Sequence, residues 1–196
     1  MFLNIYRTHL RQIFPQSFGY IVNNELIFKI SSKKFERFMF FLKHHSHCQY
    51  KMIVDACCVD YPEKKNRFEL VYNLLSVFYN KRISVTVAVD ETNPVASMVS
   101  LFKSANWIER EIWDMFGVFF YKHPDLRRIL TDYGFKGHPL RKDFPLTGFF
   151  EVNYDFTDKR VIYNKVSLMQ QNKIFIFNSQ ISSLNDYFSY FNKKIK

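Results

Sequence analysis

From Ile83 to Val89 the chain alternates strictly, with Ile83, Val85, Val87 and Val89 set between Ser84, Thr86 and Ala88. Successive side chains of a strand point to opposite faces, so this pattern specifies a strand buried on one face only. Such a strand needs neighbours beside it and an apolar layer over it. The sequence supplies both. Residues 19–22 and 25–30 read as strands joined at Asn23-Asn24, two residues that tolerate a positive φ in a tight turn. Residues 52–59 and 68–77 read as two more, separated by a charged turn containing Pro62. For the covering layer, residues 1–14 place Leu3, Tyr6, Leu10, Ile13 and Phe14 on one helical face, and Pro15 ends the run. Ser32 is expected to cap a second helix that buries Phe35, Phe38, Met39 and Leu42 and ends near His44. A short helix is expected over residues 96–103. The order α-β-β-α-β-β-β specifies an α/β (α+β) fold, a two-layer domain with a mixed sheet. At 196 residues and 47% hydrophobic composition, the chain is long enough for one substantial core.

Residues 107–145 differ in kind. They begin as a helix: Asn106 followed three residues later by Glu109 has the form of a cap and its reciprocal acid, and Ile108, Ile112, Met115 and Phe116 recur at helical spacing. Gly117 stands where a left-handed C-cap falls. Beyond it Pro124, Pro139 and Pro145 each remove a backbone donor and push the preceding residue toward extended structure, which excludes long helices and leaves an irregular strap. Six acids (Glu109, Glu111, Asp114, Asp125, Asp132, Asp143) nearly balance seven bases (Arg110, Lys122, Arg127, Arg128, Lys136, Arg141, Lys142). A segment without ladder hydrogen bonds holds its shape through side chains, so ion pairing is expected in preference to a cation-binding carboxylate cluster. Arg110, Arg127 and Arg128 are the expected partners of Glu109, Glu111 and Asp114. Trp113, Phe119, Phe120, Tyr121, Tyr133 and Phe135, interleaved with the charges, have no use in a solvated loop.

Four groups of residues follow one another here: Glu109-Arg110-Glu111; Asp114-Met115-Phe116-Gly117; His123-Pro124-Asp125-Leu126-Arg127-Arg128-Ile129-Leu130; and Gly137-His138-Pro139-Leu140-Arg141-Lys142-Asp143-Phe144-Pro145-Leu146. Together they resemble the signature of the 30-kilodalton subunit family of respiratory complex I, NADH:ubiquinone oxidoreductase. The likeness extends through Val59-Asp60-Tyr61-Pro62 and Arg67-Phe68-Glu69-Leu70-Val71-Tyr72 upstream, and Tyr154-Asp155, Arg160-Val161 and Tyr163 downstream, about residues 18 to 178 in all. It implies the same two-layer architecture and a place in the peripheral, matrix arm of mitochondrial complex I, against the 49-kilodalton subunit near the quinone-reducing end. It implies no active site and no cofactor in this chain, with FMN and the iron–sulfur clusters in neighbouring subunits. Trp107, Glu109, Arg110, Glu111, Asp114, Phe116, Gly117, His123, Pro124, Asp125, Arg127, Arg128, His138, Pro139, Arg141, Asp143 and Pro145 are the implied signature and interface residues. The organisation expected is a domain over 1–117, a strap docking on partner subunits over 118–178, and a divergent basic tail over 179–196. That tail does not resemble the family's usual ending and reads as an added contact to a partner or to anionic lipid.

The net charge of +10 fits an acidic protein partner, an anionic membrane surface or a nucleic acid. A basic nucleic-acid-binding organellar protein is therefore the alternative reading, opposed by the matched acids of the strap; no nucleic acid partner is expected. A hydrogenase subunit homologous to the same family is a third. The abundance of Phe (23) and Tyr (12) beside only 5 Gly is what an AT-rich organellar genome would encode, and it speaks against that third reading. No apolar run approaches the roughly 18–20 residues of a membrane helix, so any membrane association is expected to be peripheral; the resemblance implies the matrix side of the inner membrane. The first stretch, with Arg7 and Arg11 and no acid before Glu25, also has the form of a targeting segment, but a packed helix is the favoured reading. Cys48, Cys57 and Cys58 do not form a disulfide framework, and Cys57-Cys58 reads as small apolar filling. His44, His45, His47 and Cys48 lack common zinc spacings. Phosphate-cradling and nucleophile motifs are absent, and His123 and His138, each before a proline, read as structural rather than acid/base groups. Residues 174–177 are a strand or an apolar strip docked on a partner.

Overall fold

The structure is a computed structural model that describes residues 2–170 apart from Gln16 and Asn24. Helix α1 (Phe2–Ile13) turns Leu10 fully inward with Tyr6 and Phe14 half-buried beside it, whereas Ile13, assigned to that face by periodicity, is exposed. Strands β1 (Phe18–Val22) and β2 (Glu25–Ser31) form an antiparallel hairpin with Asn23 at φ 48°. Helix α2 (Ser32–His44) follows without a break and buries Phe35, Phe38, Met39 and Leu42, as its spacing requires. Its cap is Ser31, not Ser32, and the Ser31 side chain makes no capping hydrogen bond. The strand runs into the helix so directly that the last extended residue takes the cap position.

Strands β3 (Met52–Asp60), β4 (Phe68–Ser76) and β5 (Lys81–Val89) complete a five-stranded sheet in the order β1-β2-β5-β4-β3. Only the β2–β5 pair is parallel, so the sheet is mixed. The register aligns Phe28 with Val85 and Val85 with Tyr72, which puts the alternating apolar residues in one row on one face. Both later helices close that face: Phe38 meets Phe28 at 5.6 Å and Phe35 meets Tyr72 at 5.0 Å, while Phe116 meets Phe68 at 6.4 Å. Each such side chain removed from water contributes about 1.5–3 kcal/mol. On the other face Ile27, Val71, Asn73 and Ser84 are only half-buried, which makes this a two-layer domain. Cys57 and Cys58 fall on opposite faces, so only Cys58 fills the core and Cys57 is exposed.

Residues 96–103 are not a helix. Val95–Ala96 is a short strand, β6, beside helix α3 (Ala105–Phe116) and parallel to strand β7 (Phe120–Tyr121). The Val95 and Ser97 N–H groups donate to the Phe119 and Tyr121 carbonyls, and this pairing with β7 holds the start of the segment extended. Helix α3 also begins earlier than its pattern indicates: Ser104 holds the cap position, Asn106 lies inside the helix, and Glu109 turns toward β6 instead of back to the helix start. Its end matches, with Gly117 at φ 78° donating its N–H to the Trp113 carbonyl.

Residues 118–148 belong to the same compact unit as the sheet. A second unit starts at Phe149 and contains the antiparallel hairpin of β8 (Phe150–Asp155) and β9 (Arg160–Lys165), closed through Lys159 at φ 51°. The expectations for residues 174–177 and for the basic tail 179–196 lie outside the described residues.

Candidate functional site

Helix α3 carries buried charge on two sides. Residues four apart share a helix face, so Arg110 and Asp114 form one pair of neighbours, whereas Ala105, Glu109 and Ile112 lie around another face. All five are buried. The first pair faces the strap and the second set faces the domain.

Asp114, with no exposed surface, gathers the strap's turn. Its Oδ2 accepts from the N–H groups of Ile129 (3.1 Å), Leu130 (2.7 Å) and Thr131 (2.9 Å), and its Oδ1 accepts from the Thr131 hydroxyl at 2.7 Å. Burial alone would raise its pKa, but the bonds from the Thr131 hydroxyl and the three N–H groups outweigh it and hold the carboxyl below its ordinary value. Arg128 Nε lies 3.7 Å from Asp114, and the rest of its guanidinium donates to the Phe135 carbonyl at 3.0 Å and the Gly137 carbonyl at 2.9 Å. One arginine thereby closes a loop of strap around one carboxylate.

Arg110 is buried but pairs with no acid among the described residues: its Nε donates to the Arg127 carbonyl at 3.2 Å and its guanidinium lies 5.0 Å from the Trp107 ring. Arg127 itself is exposed, paired with Asp125 at 2.9 Å in solvent. Glu111 is exposed and enters no ion pair among the described residues. The expected pairing of Glu109 and Glu111 with Arg110 and Arg127 is therefore corrected: a strap carbonyl takes the Arg110 guanidinium, and Arg127 meets the nearer Asp125 instead.

Glu109 is the larger departure. It is fully buried, pairs with no cation among the described residues, and accepts from the Ser97 hydroxyl at 2.6 Å and the Met98 N–H at 2.7 Å. The Tyr72 hydroxyl is buried close enough to Glu109 to favour its charged form, although it falls outside hydrogen-bond geometry with any described residue. Burial pushes Glu109 up to about 7, against the opposing pull of Ser97, Met98 and Tyr72.

Behind Gly117 the strap returns. His138 Nδ1 bonds the Asp114 carbonyl at 3.0 Å, Arg141 Nε donates to the Phe116 carbonyl at 2.6 Å, and Leu140 N–H donates to the Met115 carbonyl at 3.1 Å, so three carbonyls at the end of α3 are capped from outside. Burial, then the cations Arg141 and Arg128, lower the His138 pKa against the raising effect of the Asp114 carbonyl. A Cβ on Gly117 would stand 2.6 Å from both Arg141 Nη2 and His138 Nε2. His123 spans its turn with both nitrogens: Nδ1 accepts from Asp125 N–H at 3.1 Å and Nε2 lies 3.2 Å from the Asn106 carbonyl. Pro124 lies within that turn; Pro139 sits between His138 and Leu140, and Pro145 accepts from Gly148 N–H at 3.0 Å.

A second anchor comes from residues that the sequence did not single out as site residues. Arg67 forks onto Asp60, Nε to Oδ1 at 2.7 Å and Nη2 to Oδ2 at 3.0 Å, and also reaches Asp143 at 3.0 Å. Asp60 accepts Lys142 N–H at 2.8 Å as well, and Arg141 pairs with Glu91. The Arg67 bonds, chiefly, hold Asp60 below its ordinary pKa. The only sequence signal was the presence of both residues in the upstream part of the likeness.

Among its exposed charges the strap also leaves large apolar side chains in solvent: Leu130 is 59% exposed, Tyr133 97%, Leu140 54% and Leu146 91%. Elsewhere His45 Nδ1 is 3.3 Å from His47 N and 3.7 Å from Cys48 Sγ; among the described residues no three His, Cys, Asp or Glu side chains gather as metal ligands. Among the described residues, too, no helix is long and apolar enough to cross a membrane.

The family model described as respiratory-chain NADH dehydrogenase, 30 Kd subunit, matches residues 28–150, which takes in most of β2, strands β3 to β5, α3 and the strap as far as residue 150. The chain belongs to this family. NADH-ubiquinone oxidoreductase subunit 9 of Reclinomonas americana is 51% identical over 180 residues, covering 91% of this chain and 88% of that relative. NADH dehydrogenase [ubiquinone] iron-sulfur protein 3 of Solanum tuberosum is 55% identical over 146 residues, covering 74% and 77%. Among solved structures, a trypsin-resistant fragment of Nqo5 superposes with a TM-score of 0.54 at 26% identity, over 62% of this chain and 98% of the fragment. A chain of an archaeal membrane-bound sulfane sulfur reductase shares the fold, with a TM-score of 0.65 at 22% identity over 74% of this chain and 87% of that one. For a 30 kDa-family subunit, the outcome of this geometry is a strap fastened to α3 and β3 that still leaves Leu130, Tyr133, Leu140 and Leu146 in solvent.

Proposed function

We propose that this chain is a structural subunit of the peripheral arm of mitochondrial complex I, peripheral to the inner membrane on its matrix side, and that it docks through the strap on the 49 kDa subunit. It takes part in electron transfer from NADH to ubiquinone by holding neighbouring subunits in place. Flavin, iron–sulfur and quinone chemistry belong to those neighbours, and the chain itself holds no cofactor and supplies no reacting group. The observation that carries this reading is a strap that is fastened yet leaves apolar side chains exposed. It is committed to Asp114, Asp60 and the carbonyls at the end of α3, while Leu130, Tyr133, Leu140 and Leu146 stand in solvent. Apolar side chains presented together by a rigid segment are a protein-docking surface.

The test is to replace Leu130, Tyr133 and Leu146 together with Asp. Exposed positions of this kind change monomer stability by roughly 0.5 kcal/mol or less each, so the variant should fold. It should nonetheless fail to co-migrate with the flavin- and cluster-bearing subunits on native electrophoresis. Normal incorporation of the folded triple variant would overturn the docking role, and a stoichiometric visible chromophore in the purified wild-type chain would overturn its cofactor-free character.

A further inference from the structure

The helical layer is basic where the strap is balanced. Helices α1 and α2 carry Arg7, Arg11, Lys33, Lys34, Arg37 and Lys43 against one acid, Glu36, which is engaged by Lys122 at 3.5 Å. Lys43 is engaged by the Leu101 carbonyl. Lys33, Lys34 and Arg37 are exposed and enter no ion pair among the described residues. Between the end of α1 and the start of α2 lies a cavity of about 210 Å³, lined by Ile13, Phe14, Ile30 and Ser31 together with Lys34 and Arg37. The helical layer meets the strap at Glu36 and Lys122, but no strap residue lines the cavity.

We infer that this groove is an interaction surface for an acidic segment of a partner protein, one apolar side chain seated in the cavity and flanking carboxylates set against Lys34 and Arg37. Charge complementarity selects an acidic occupant, since the exposed cations have no counter-charge of their own. The size and lining of the cavity select a side chain. At about 210 Å³ it is smaller than the roughly 300 Å³ at which drug-sized pockets begin, and Ile30 is only 6% exposed at its wall. A nucleic acid is disfavoured because single-stranded binding relies on open aromatic faces. Phe14, the one aromatic residue in the lining, is packed edge-on against Phe38 at 5.1 Å and Phe41 at 5.2 Å. A lipid surface is disfavoured because membrane-lying helices push their apolar side chains outward, whereas Ile30 in the cavity wall is buried and Phe14 is packed against Phe38 and Phe41. Exposed ion pairs are individually weak and salt-screened, so the contact adds to a larger interface and weakens at high ionic strength.

Two measurements test it. In the first, a photo-crosslinking amino acid replaces Ile13 in the full chain, and the assembled complex is irradiated after isolation. The expected product joins position 13 to an apolar residue with Asp or Glu within about four positions on either side, and its yield falls about tenfold in a Lys34→Glu/Arg37→Glu background. A crosslink to lipid, to RNA or to a non-acidic segment overturns the inference, as does an unchanged yield after charge reversal or no crosslink from a complex that has assembled. In the second, the purified full chain is titrated with fluorescent peptides Asp-Glu-Leu-Glu-Asp and Asp-Glu-Ser-Glu-Asp at low salt. The leucine peptide should bind at least about fivefold more tightly, with the difference lost in the charge-reversed variant. Equal binding of the two peptides would mean that the cavity seats nothing.

Discussion

Asp114 receives Thr131 twice, from its backbone N–H at 2.9 Å and from its hydroxyl at 2.7 Å. A carboxylate at the end of a helix thus does for an irregular strap what a neighbouring strand does in a sheet: it gives successive backbone donors one acceptor. Replacing Asp114 with Ala leaves the Ile129, Leu130 and Thr131 N–H groups without it. Each unsatisfied buried donor costs about 1–3 kcal/mol, so Asp114→Ala should lower the stability of the full chain by at least about 3 kcal/mol in urea denaturation.

The same site sets the acid limit. The folded Asp114 and Asp60 carboxyls are both held below their ordinary values. Their stabilisation is therefore fully present above the unfolded carboxylate pKa, near 4, and is lost as pH falls through the lower folded values. Acid titration followed by protease cleavage within residues 118–148 should show the strap releasing below about pH 4; Asp114→Asn should flatten that transition.

Glu109 works in the opposite direction. Its folded value is raised to about 7, above that of the unfolded chain. Its contribution is fully present below the unfolded glutamate pKa and is lost as pH rises toward 7, after which it is constant. Glu109→Gln keeps an acceptor for the Met98 N–H while removing the charge. Stability measured from pH 5 to 8 should decline less in the variant than in the wild type, and the variant should be the more stable of the two at pH 8. A parallel pH dependence for both would show that Glu109 is not the titrating group.

Gly117 has two separate reasons to be glycine. Its φ of 78° is costly for any other L-residue, by about 1–2 kcal/mol, and a Cβ there would collide with Arg141 and His138. Gly117→Ala should cost about 2–4 kcal/mol, the upper part from displaced side chains. If thermal unfolding shows a loss under 1 kcal/mol, the close packing of Arg141 and His138 on α3 is wrong.

Signals confined to a few neighbouring residues were legible. The alternation from Ile83 to Val89, the turn at Asn23 and the left-handed end at Gly117 each follow from local sterics, and all three stand in the structure. Asn106 and Glu109 show how such a signal misleads. Their spacing fits a capping box, yet Ser97 and Met98, more than ten residues away, offer Glu109 better donors. The strand at Val95–Ala96 was hidden for a related reason, because its partner, Phe120–Tyr121, lies beyond a whole helix. Arg67 and Asp60 escaped notice as an anchor because their pairing depends on the register of β3 against β4 and on Asp143, far along the chain. Composition foretold that the strap's charges would be used, but which acid meets which base is a tertiary fact.

That distinction separates two neighbouring arginines that the sequence treats alike. Arg127 is exposed with Asp125 in solvent, so Arg127→Ala should change stability by no more than about 0.5–1 kcal/mol. Arg128 binds two carbonyls and approaches Asp114. Hydrogen bonds from a charged group contribute about 1.5–3 kcal/mol each, so Arg128→Ala should cost about 2–4 kcal/mol and reduce the amount of assembled complex.

The structural role is tested most directly by NADH:ubiquinone turnover per assembled complex in Arg128→Ala, with complex quantified on native gels of solubilised membranes and Arg127→Ala as control. The account predicts less complex in Arg128→Ala, near-normal amounts in Arg127→Ala, and near-normal turnover for every complex that forms in either. Full assembly of Arg128→Ala with quinone reduction abolished would contradict it, and would place the strap in the chemistry.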